Sequence, residues 1–534
     1  MDVESLREQL SSLSIPKNHI TLGLTNLIQQ SKALSTLLKH KKLPTHPFSD
    51  LQIQSIILTL STLDTNREFS LNNHNSSGSG TTERWIGVGE REGRIYSSLV
   101  SSRNFGFGHG MGRSGDIMEP QPKAVGSSIL VQLTKELVLD CMKRGAGLRG
   151  DKDGGPAKHG LILPLCTGMS VALILSSLRE EVQVEVENDD NDNDTNDVIQ
   201  NQPVKDVVLW SRIDQKSCYK AVQTAGFKCV VVPTKVDGDM VVTDMDSLQE
   251  NVNKYRGRVI AIISTTSCFA PRVPDQIDEI GKLCLDEDVA HIINNAYGLQ
   301  CQTTVKLINR ACVLGRVDAI VSSTDKNFLV PVGGAIITSP NEKVIQTISK
   351  VYAGRASSAP ILDLFITLLS MGLNGYQKLL EDRRTLVGEF QSKLEQIAER
   401  YGERTLSCPK NTISFGITLD SLSKPIEGES ADQISKREMT SLFGSMLFTR
   451  CISGTRVVAK GGSKTISGQK FVGFGSSTDD YPHSYLTAAC AIGLTEDENE
   501  EFFVRLDRCF KDFWTKRRKE VKKKVKKESA EKEK

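Results

Sequence analysis

Val-Asp-Ala-Ile-Val-Ser-Ser-Thr-Asp-Lys-Asn-Phe-Leu-Val-Pro-Val-Gly-Gly-Ala-Ile-Ile-Thr-Ser, residues 317–339, is the stretch that decides the fold. Val317 to Val321 reads as a buried strand, short, apolar and β-branched, and Ala335 to Ile337 reads as a second. Between them lies a polar turn with one lysine, Lys326. A lysine at a strand end, walled by apolar strands, loses hydration; its amine pKa falls and it becomes nucleophilic. A Schiff-base lysine for pyridoxal phosphate (PLP) needs that setting. The alternative is a surface lysine in a hairpin loop, and the rest of the chain decides between them.

Outward from this stretch, residues 84–360 alternate strand and helix. Leu161–Leu165, Val207–Trp210, Cys229–Val232, Val259–Ile263 and Ala290–Ile293 are compact apolar runs, several of them separated by helical patterns such as 272–287. This is the sequence form of an open, mainly parallel α/β sheet. Active sites in such sheets lie outside the carboxyl ends of the strands. Each run here ends in small or polar residues: Thr167-Gly168, Ser211-Arg212, Ser264-Thr265-Thr266, Asn294-Asn295 and Ser322-Ser323.

The flanks read differently. Residues 1–83 form a helical N-terminal extension, with Leu22, Leu24, Leu27, Ile28 and later Leu34, Leu37, Leu38 near helical spacing, ending in a mobile loop at 71–82. Lys39, near the end of one such helix, either complements the helix dipole or contacts a nucleic-acid backbone. Residues 186–206 begin as an acidic run almost free of apolar side chains and read as a disordered insertion in the large 84–360 domain. Residues 361–515 suggest a smaller α+β domain, and 516–534 a basic tail, either a solvated helix or an extended end.

Composition bounds the function. Hydrophobic content of 38% and charged content of 25% are ordinary for a soluble protein. The net charge of +2 hides a tail with eleven Lys or Arg against four Glu, so any polyanion contact comes from patches rather than global charge. Twelve cysteines without a Cys-x-x-Cys pair argue against a zinc ribbon, a metal site or a disulfide scaffold and favour the reducing cytoplasm. Cys166, Cys229 and Cys490 sit in apolar runs and read as core. The N-terminus lacks the basic-then-apolar order of a signal peptide. The apolar run Leu161–Leu178 contains Pro164, Thr167, Gly168 and Ser170, which fits strand–turn–helix better than a membrane span.

PLP needs more than a lysine. Thr167-Gly168-Met169-Ser170 follows a strand and opens a helix, so its N–H groups and the helix dipole can hold a phosphate. Arg91 supplies a counter-charge. At the strand end where the ring-nitrogen partner belongs, the chain offers Asn294. A second anion site is suggested by residues 106–123, where Gly106, Gly108, Gly110 and Gly112 alternate and Arg113 and Ser114 follow. Arg355 adds another guanidinium. His109 either caps this loop or serves as a ligand; His291, in a strand, reads as core.

At these residues the sequence resembles a known family. Gly-Val-Gly-Glu-Arg-Glu-Gly-Arg (87–94), His-Gly-Met-Gly-Arg-Ser-Gly-Asp (109–116), Arg-Ile-Asp-Gln-Lys-Ser-Cys (212–218), Ser-Thr-Thr-Ser-Cys-Phe-Ala-Pro-Arg (264–272), Asn-Asn-Ala-Tyr-Gly (294–298) and Asp-Lys-Asn-Phe-Leu-Val-Pro-Val-Gly-Gly (325–334) resemble the O-phosphoseryl-tRNA(Sec) selenium transferases. The resemblance covers about 84–510 apart from the acidic insertion. It implies a fold-type-I, aspartate-aminotransferase-like PLP-dependent transferase with a helical N-terminal extension and a small α+β C-terminal domain. It implies conversion of phosphoseryl-tRNA(Sec) to selenocysteinyl-tRNA(Sec) with selenophosphate, by a homotetramer built from dimers. Lys326 would carry PLP, Arg91 its phosphate, and Asn294 its ring nitrogen. Arg113, Ser114, Gln121 and Arg355 would bind the substrate phosphate, with 112–122 as the phosphate loop, and Gln215 and Lys216 would also face substrate. Glu90 would repel free amino acids, whose α-carboxylate is charged, whereas the tRNA ester is neutral. Arg450 matches a tRNA-contacting arginine, while Val313 stands where the family has another; Lys516, near a third contact, could serve with Lys39. The rival readings are a cysteine desulfurase-like enzyme of the same fold and a non-catalytic tRNA-binding scaffold.

Overall fold

The computed structural model describes residues 3–68, 85–150, 154–189, 204–429 and 436–532. The loop expected at 71–82 lies outside them. Among the described residues nine strands run through the α/β region: β1 (His159–Leu163), β2 (Val207–Ser211), β3 (Lys228–Val232), β4 (Thr234–Asp237), β5 (Met240–Thr243), β6 (Val259–Thr265), β7 (Ala290–Asn294), β8 (Ala319–Ser323) and β9 (Ala335–Ser339). Each expected apolar run lies within two residues of one of them.

The chain divides into two compact units. The first comprises 1–152, 157–166 and 323–377. Its N-terminal helices are Val3–Ser11, Lys17–His40 and Asp50–Ser61, the last opened by a capping box between Ser49 and Gln52. Strands β1 and β9 pair antiparallel here, with Leu161 opposite Ile337.

The second unit comprises 153–156, 167–322 and 378–534. In it β3, β2, β6, β7 and β8 lie side by side in that order, all parallel. Every residue of β2, β6, β7 and β8 is buried, as expected where helices cover both faces. β4 and β5 form a small hairpin. The later part adds β10 (Ser414–Thr418), β11 (Arg456–Val458), β12 (Ser463–Ile466), β13 (Gln469–Val472) and β14 (Tyr485–Ala489), with β14 between β10 and β11 and β12 paired with β13. Phe390, Phe443, Leu506 and Phe510 anchor the core there.

A buried ionic knot ties the carboxyl ends of β2, β5 and β6 in this unit. Asp275 accepts from Ser211 Oγ at 2.8 Å, Thr243 Oγ1 at 2.5 Å, the Thr265 N–H at 2.6 Å and the Arg272 guanidinium. Arg272 also donates to the carbonyls of Arg212 and Val273, at 3.1 and 2.7 Å.

Three expectations are corrected. The lysine turn is not a loop but one helical turn, Thr324–Phe328, and Lys326 is exposed on it. Thr324 bonds the Gly334 carbonyl, Asn327 bonds the Ser323 carbonyl, and Phe328 stacks on Tyr376 at 5.4 Å. Positions 324, 327 and 328 thus take the buried side of the turn and Lys326 the exposed side, rather than a pocket walled by strands. The acidic stretch starts inside a helix, Thr167–Asp189, so 186–189 are helical; 190–203 lie outside the described residues. The basic run from Lys516 forms the end of the helix Glu496–Lys532. Cys166 is exposed rather than core, because it sits in the turn after β1, whereas Cys490 is buried.

Among the described residues one helix, Ala359–Arg400, is long and apolar enough to cross a membrane. It is interrupted at Gly372, with φ 58° and ψ −179°, and Leu364, Phe365, Leu368 and Leu369 are completely buried.

Candidate active site

The candidate residues fall into two groups, one in each unit. In the first unit a cavity of about 430 Å³ is lined by Arg91, His109 and Arg355, with Gly93, Phe107 and Ser357 among its walls. The glycine-rich segment and the Arg355 segment are joined by backbone: Met111 and Ala356 exchange N–H···O bonds of 2.9 and 3.2 Å. The glycines are required by close approach. A Cβ at Gly110 would stand 2.3 Å from the Ala356 carbonyl oxygen, and one at Gly112 would stand 2.5 Å from the Ile117 Cα; both have φ of 71°.

Arg91 is held in place through its backbone. Lys123 Nζ donates to the Arg91 carbonyl at 2.8 Å and pairs with Glu92 at 3.0 Å, which holds the Glu92 carboxyl below its usual range. Asn66, 7% exposed, donates to the carbonyls of Gly93 and Gly106, at 3.1 and 2.9 Å. Burial and then the like charge of Arg91 lower the Arg355 guanidinium pKa. Its Nη2 donates to the His109 carbonyl, while its buried Nε has no hydrogen-bond partner. Two guanidiniums repelling each other across a cavity, one with an orphaned donor, make a setting for an anion.

The other anion candidates of this unit lie outside that cavity. Arg113 pairs with Glu119 at 2.6 Å across the turn of its own loop, and Ser114 is exposed. Gln121 lines a separate apolar cavity of about 630 Å³ with Leu38, Lys41 and Val125. Glu90 is exposed beside Arg91, and Lys39 is exposed near the end of the helix Lys17–His40.

In the second unit the start of the helix Thr167–Asp189 meets the start of the helix Lys216–Thr224. A Cβ on Gly168 would come within 3.2 Å of Ser217 Cβ. Thr167 Oγ1 is buried without a hydrogen-bond partner, an orphan that a phosphate oxygen would satisfy. Met169 is exposed one residue into the helix. Asn294 ends β7, is 8% exposed, and donates from its amide to Cys218 Sγ at 3.3 Å. Thr167, Gly168, Lys216 and Asn294 are thus linked through Ser217 and Cys218, and Gln215 precedes the second helix. Ser217 and Cys218 follow Gln215 and Lys216 directly in the motif, and no sequence pattern of their own marks them. Lys216 stands against Lys464 of β12, which lowers its pKa.

The tRNA candidates of this unit share one surface. Arg450 pairs with Asp512 at 2.7 Å, and Lys516 lies exposed one turn further along the same helix. His291 is core, as its strand position implied. Its ring nitrogens contact Ser264 Oγ at 2.7 Å and the Arg316 carbonyl at 3.1 Å, and burial holds its pKa down to about 4. Among the described residues no group of three or more His, Cys, Asp or Glu side chains is placed to hold a metal ion.

Each unit by itself holds groups that fit PLP: the first an amine on the turn Thr324–Phe328 and a cationic cavity, the second a helix start with an orphaned hydroxyl. The mainly parallel α/β fold with these features defines the fold-type-I PLP enzymes. The fold alone matches an Oryza sativa TDC solved with PLP and tryptamine, with a TM-score of 0.51 at 12% identity, covering 93% of this chain and 99% of that one. The family model described as "O-phosphoseryl-tRNA(Sec) selenium transferase, SepSecS" matches residues 78–188 and 197–511. A Dictyostelium discoideum O-phosphoseryl-tRNA(Sec) selenium transferase is 44% identical over 502 residues, 93% of this chain and 97% of that protein. The crystal structure of an archaeal O-phosphoseryl-tRNA(Sec) selenium transferase superposes with a TM-score of 0.76 at 28% identity, covering 93% of this chain and 98% of that chain. The chain belongs to the O-phosphoseryl-tRNA(Sec) selenium transferase (SepSecS) family.

Proposed function

We propose that this enzyme converts O-phosphoseryl-tRNA(Sec) to selenocysteinyl-tRNA(Sec), with PLP as cofactor and selenophosphate as selenium donor. The observation that carries the reading is the cavity between Arg91 and Arg355, cationic and holding an orphaned donor, in a chain of this family. PLP, when bound, supplies the electron sink that stabilises negative charge at the substrate Cα.

This chain's residues do the rest. Lys326 holds the cofactor and moves the α-proton. Arg91 and the helix start at Thr167, Gly168 and Met169 neutralise the cofactor phosphate. Asn294, a neutral amide, would hold the cofactor at its ring nitrogen. Arg355 holds the phosphate that leaves from Cβ and stabilises its developing charge; Arg113, Ser114 and Gln121, which lie outside its cavity, join it on opening of the Arg113–Glu119 pair. Gln215 and Lys216 bound the substrate, and Glu90 rejects free amino acids by like-charge repulsion with their carboxylate.

Arg450, Lys516 and Lys39 contact the tRNA backbone. Affinity for tRNA is expected to fall linearly with log salt, and Arg450→Ala or Lys516→Ala each to flatten that slope by about 1. A slope unchanged in both variants places the contact elsewhere. Assembly as a homotetramer, a dimer of dimers, is supported by exposed Trp85, Ile86, Val88, Tyr96 and Leu99, which lie close together in sequence in the first unit. Twelve cysteines without a disulfide among them are consistent with the cytoplasm.

The test is turnover with selenophosphate of phosphoseryl-tRNA against free phosphoserine. Only the tRNA-borne substrate is expected to yield selenocysteine; equal turnover of free phosphoserine rejects the reading. Arg355→Ala is expected to lower kcat by about 10²–10³-fold, the range for loss of one preorganised oxyanion donor. Single-turnover phosphate release measures it.

A further inference from the structure

We propose that His109 is a further ligand of the substrate phosphate, its Nδ1–H donating to an oxygen of the group that Arg355 holds. The inference rests on the cavity reading above. His109 is 5% exposed and lines the same cavity as Arg91 and Arg355. Its Nδ1 is buried and has no hydrogen-bond partner. A buried polar atom left unpaired in a cavity needs an explanation, and a ligand supplies one. Arg355 Nε, in the residue whose Nη2 grips the His109 carbonyl, is orphaned as well. One tetrahedral oxyanion has enough lone pairs for both donors.

The other face of the ring decides which nitrogen carries the proton. Nε2 lies 3.4 Å from Thr65 Oγ1. That hydroxyl also lies 3.1 Å from the Lys123 carbonyl, which already receives the Thr65 N–H at 3.1 Å. The hydroxyl donates to that carbonyl and can accept from Nε2–H; when an anion draws the imidazole proton to Nδ1, the carbonyl keeps the Thr65 N–H and the hydroxyl turns to donate to Nε2. Burial, then Arg355 and Lys123, push the ring's pKa down to about 4 against the opposing pull of Glu92, so the ring is a neutral single donor at physiological pH. Gly93 fixes its position, since a Cβ there would stand 3.1 Å from ring Cε1.

The probe is inorganic phosphate, bound to the PLP-loaded enzyme and measured by equilibrium dialysis. His109→Ala is expected to weaken it about tenfold, the loss of one hydrogen bond to a charged group. His109→Asn places an amide nitrogen near the Nδ1 position and is expected to restore affinity to within about threefold of the parent. His109→Gln, which mimics Nε2, is expected to behave like the alanine variant. The cofactor absorbance band is expected to stay unchanged in His109→Asn. Parent-like affinity in the alanine variant overturns the assignment. So does an asparagine variant no better than glutamine, or one whose cofactor band is lost, since either marks a packing role. Arg355→Ala serves as reference. If it too binds phosphate like the parent, the cavity reading itself fails; if it alone loses phosphate, only the role of His109 falls.

Discussion

Lys326→Met is expected to leave folded enzyme whose selenium incorporation falls by about 10⁴-fold or more, the upper range for a positioned acid–base group and larger where covalent attachment is lost too. The side chain is exposed on the turn Thr324–Phe328, and its buried neighbours Thr324, Asn327 and Phe328 hold the turn without it. Folding and catalysis therefore separate at this position. The unfolding midpoint is expected to stay close to the parent's while turnover disappears. Borohydride treatment followed by peptide mapping is expected to fix the pyridoxyl label to Lys326 in the parent and nowhere in the variant. Turnover persisting in the methionine variant removes the central residue of the proposed mechanism.

The second large effect is on stability. Arg272→Met is expected to destabilise the protein by about 3–5 kcal/mol, the usual consequence of removing one partner from a buried ion pair. The side chains of Arg272 and Asp275 are 1% and 0% exposed. Methionine fills much of the volume but strands the Asp275 carboxylate among Ser211, Thr243 and Thr265 with no cation. It also strips donors from the carbonyls of Arg212 and Val273. The double variant Arg272→Met/Asp275→Leu is expected to recover part of the loss, because the uncompensated charge is then gone. Urea unfolding of the three proteins checks this; a double variant that is less stable than Arg272→Met by the full cost of a second deletion shows that the pair is not coupled.

The sheet was legible because its strands are buried on both faces, and continuous apolar runs such as Val207–Trp210 and Val259–Ile263 report that directly. The boundary residues were less so: β8 starts at Ala319, two residues later than the apolar run suggests, because Val317 and Asp318 precede the pairing with β7. The exposure of Lys326 was not legible. Which face of a single turn is buried depends on Tyr376, fifty residues away, accepting the Phe328 ring. The support beneath the cationic cavity was hidden for a related reason. Asn66 reaches carbonyls 27 and 40 residues downstream, and a lone Asn after a helix carries no signal of such reach. Arg91 and Arg355 were identifiable only as separate cations; their shared cavity is a property of the fold. Arg113 was expected with Arg355 on the substrate phosphate; in the structure the turn to Asp116 sets it against Glu119.

The alternating glycines of 106–112 have a consequence beyond suppleness. Gly110 faces the very carbonyl whose residue follows Arg355, and the reciprocal bonds between Met111 and Ala356 leave no slack there. The two segments are geared together, so any methyl group introduced at 110 would be transmitted as a displacement of the neighbouring guanidinium. In this loop, missing side chains set a tolerance: the space they vacate is what lets two distant stretches of chain share one alignment.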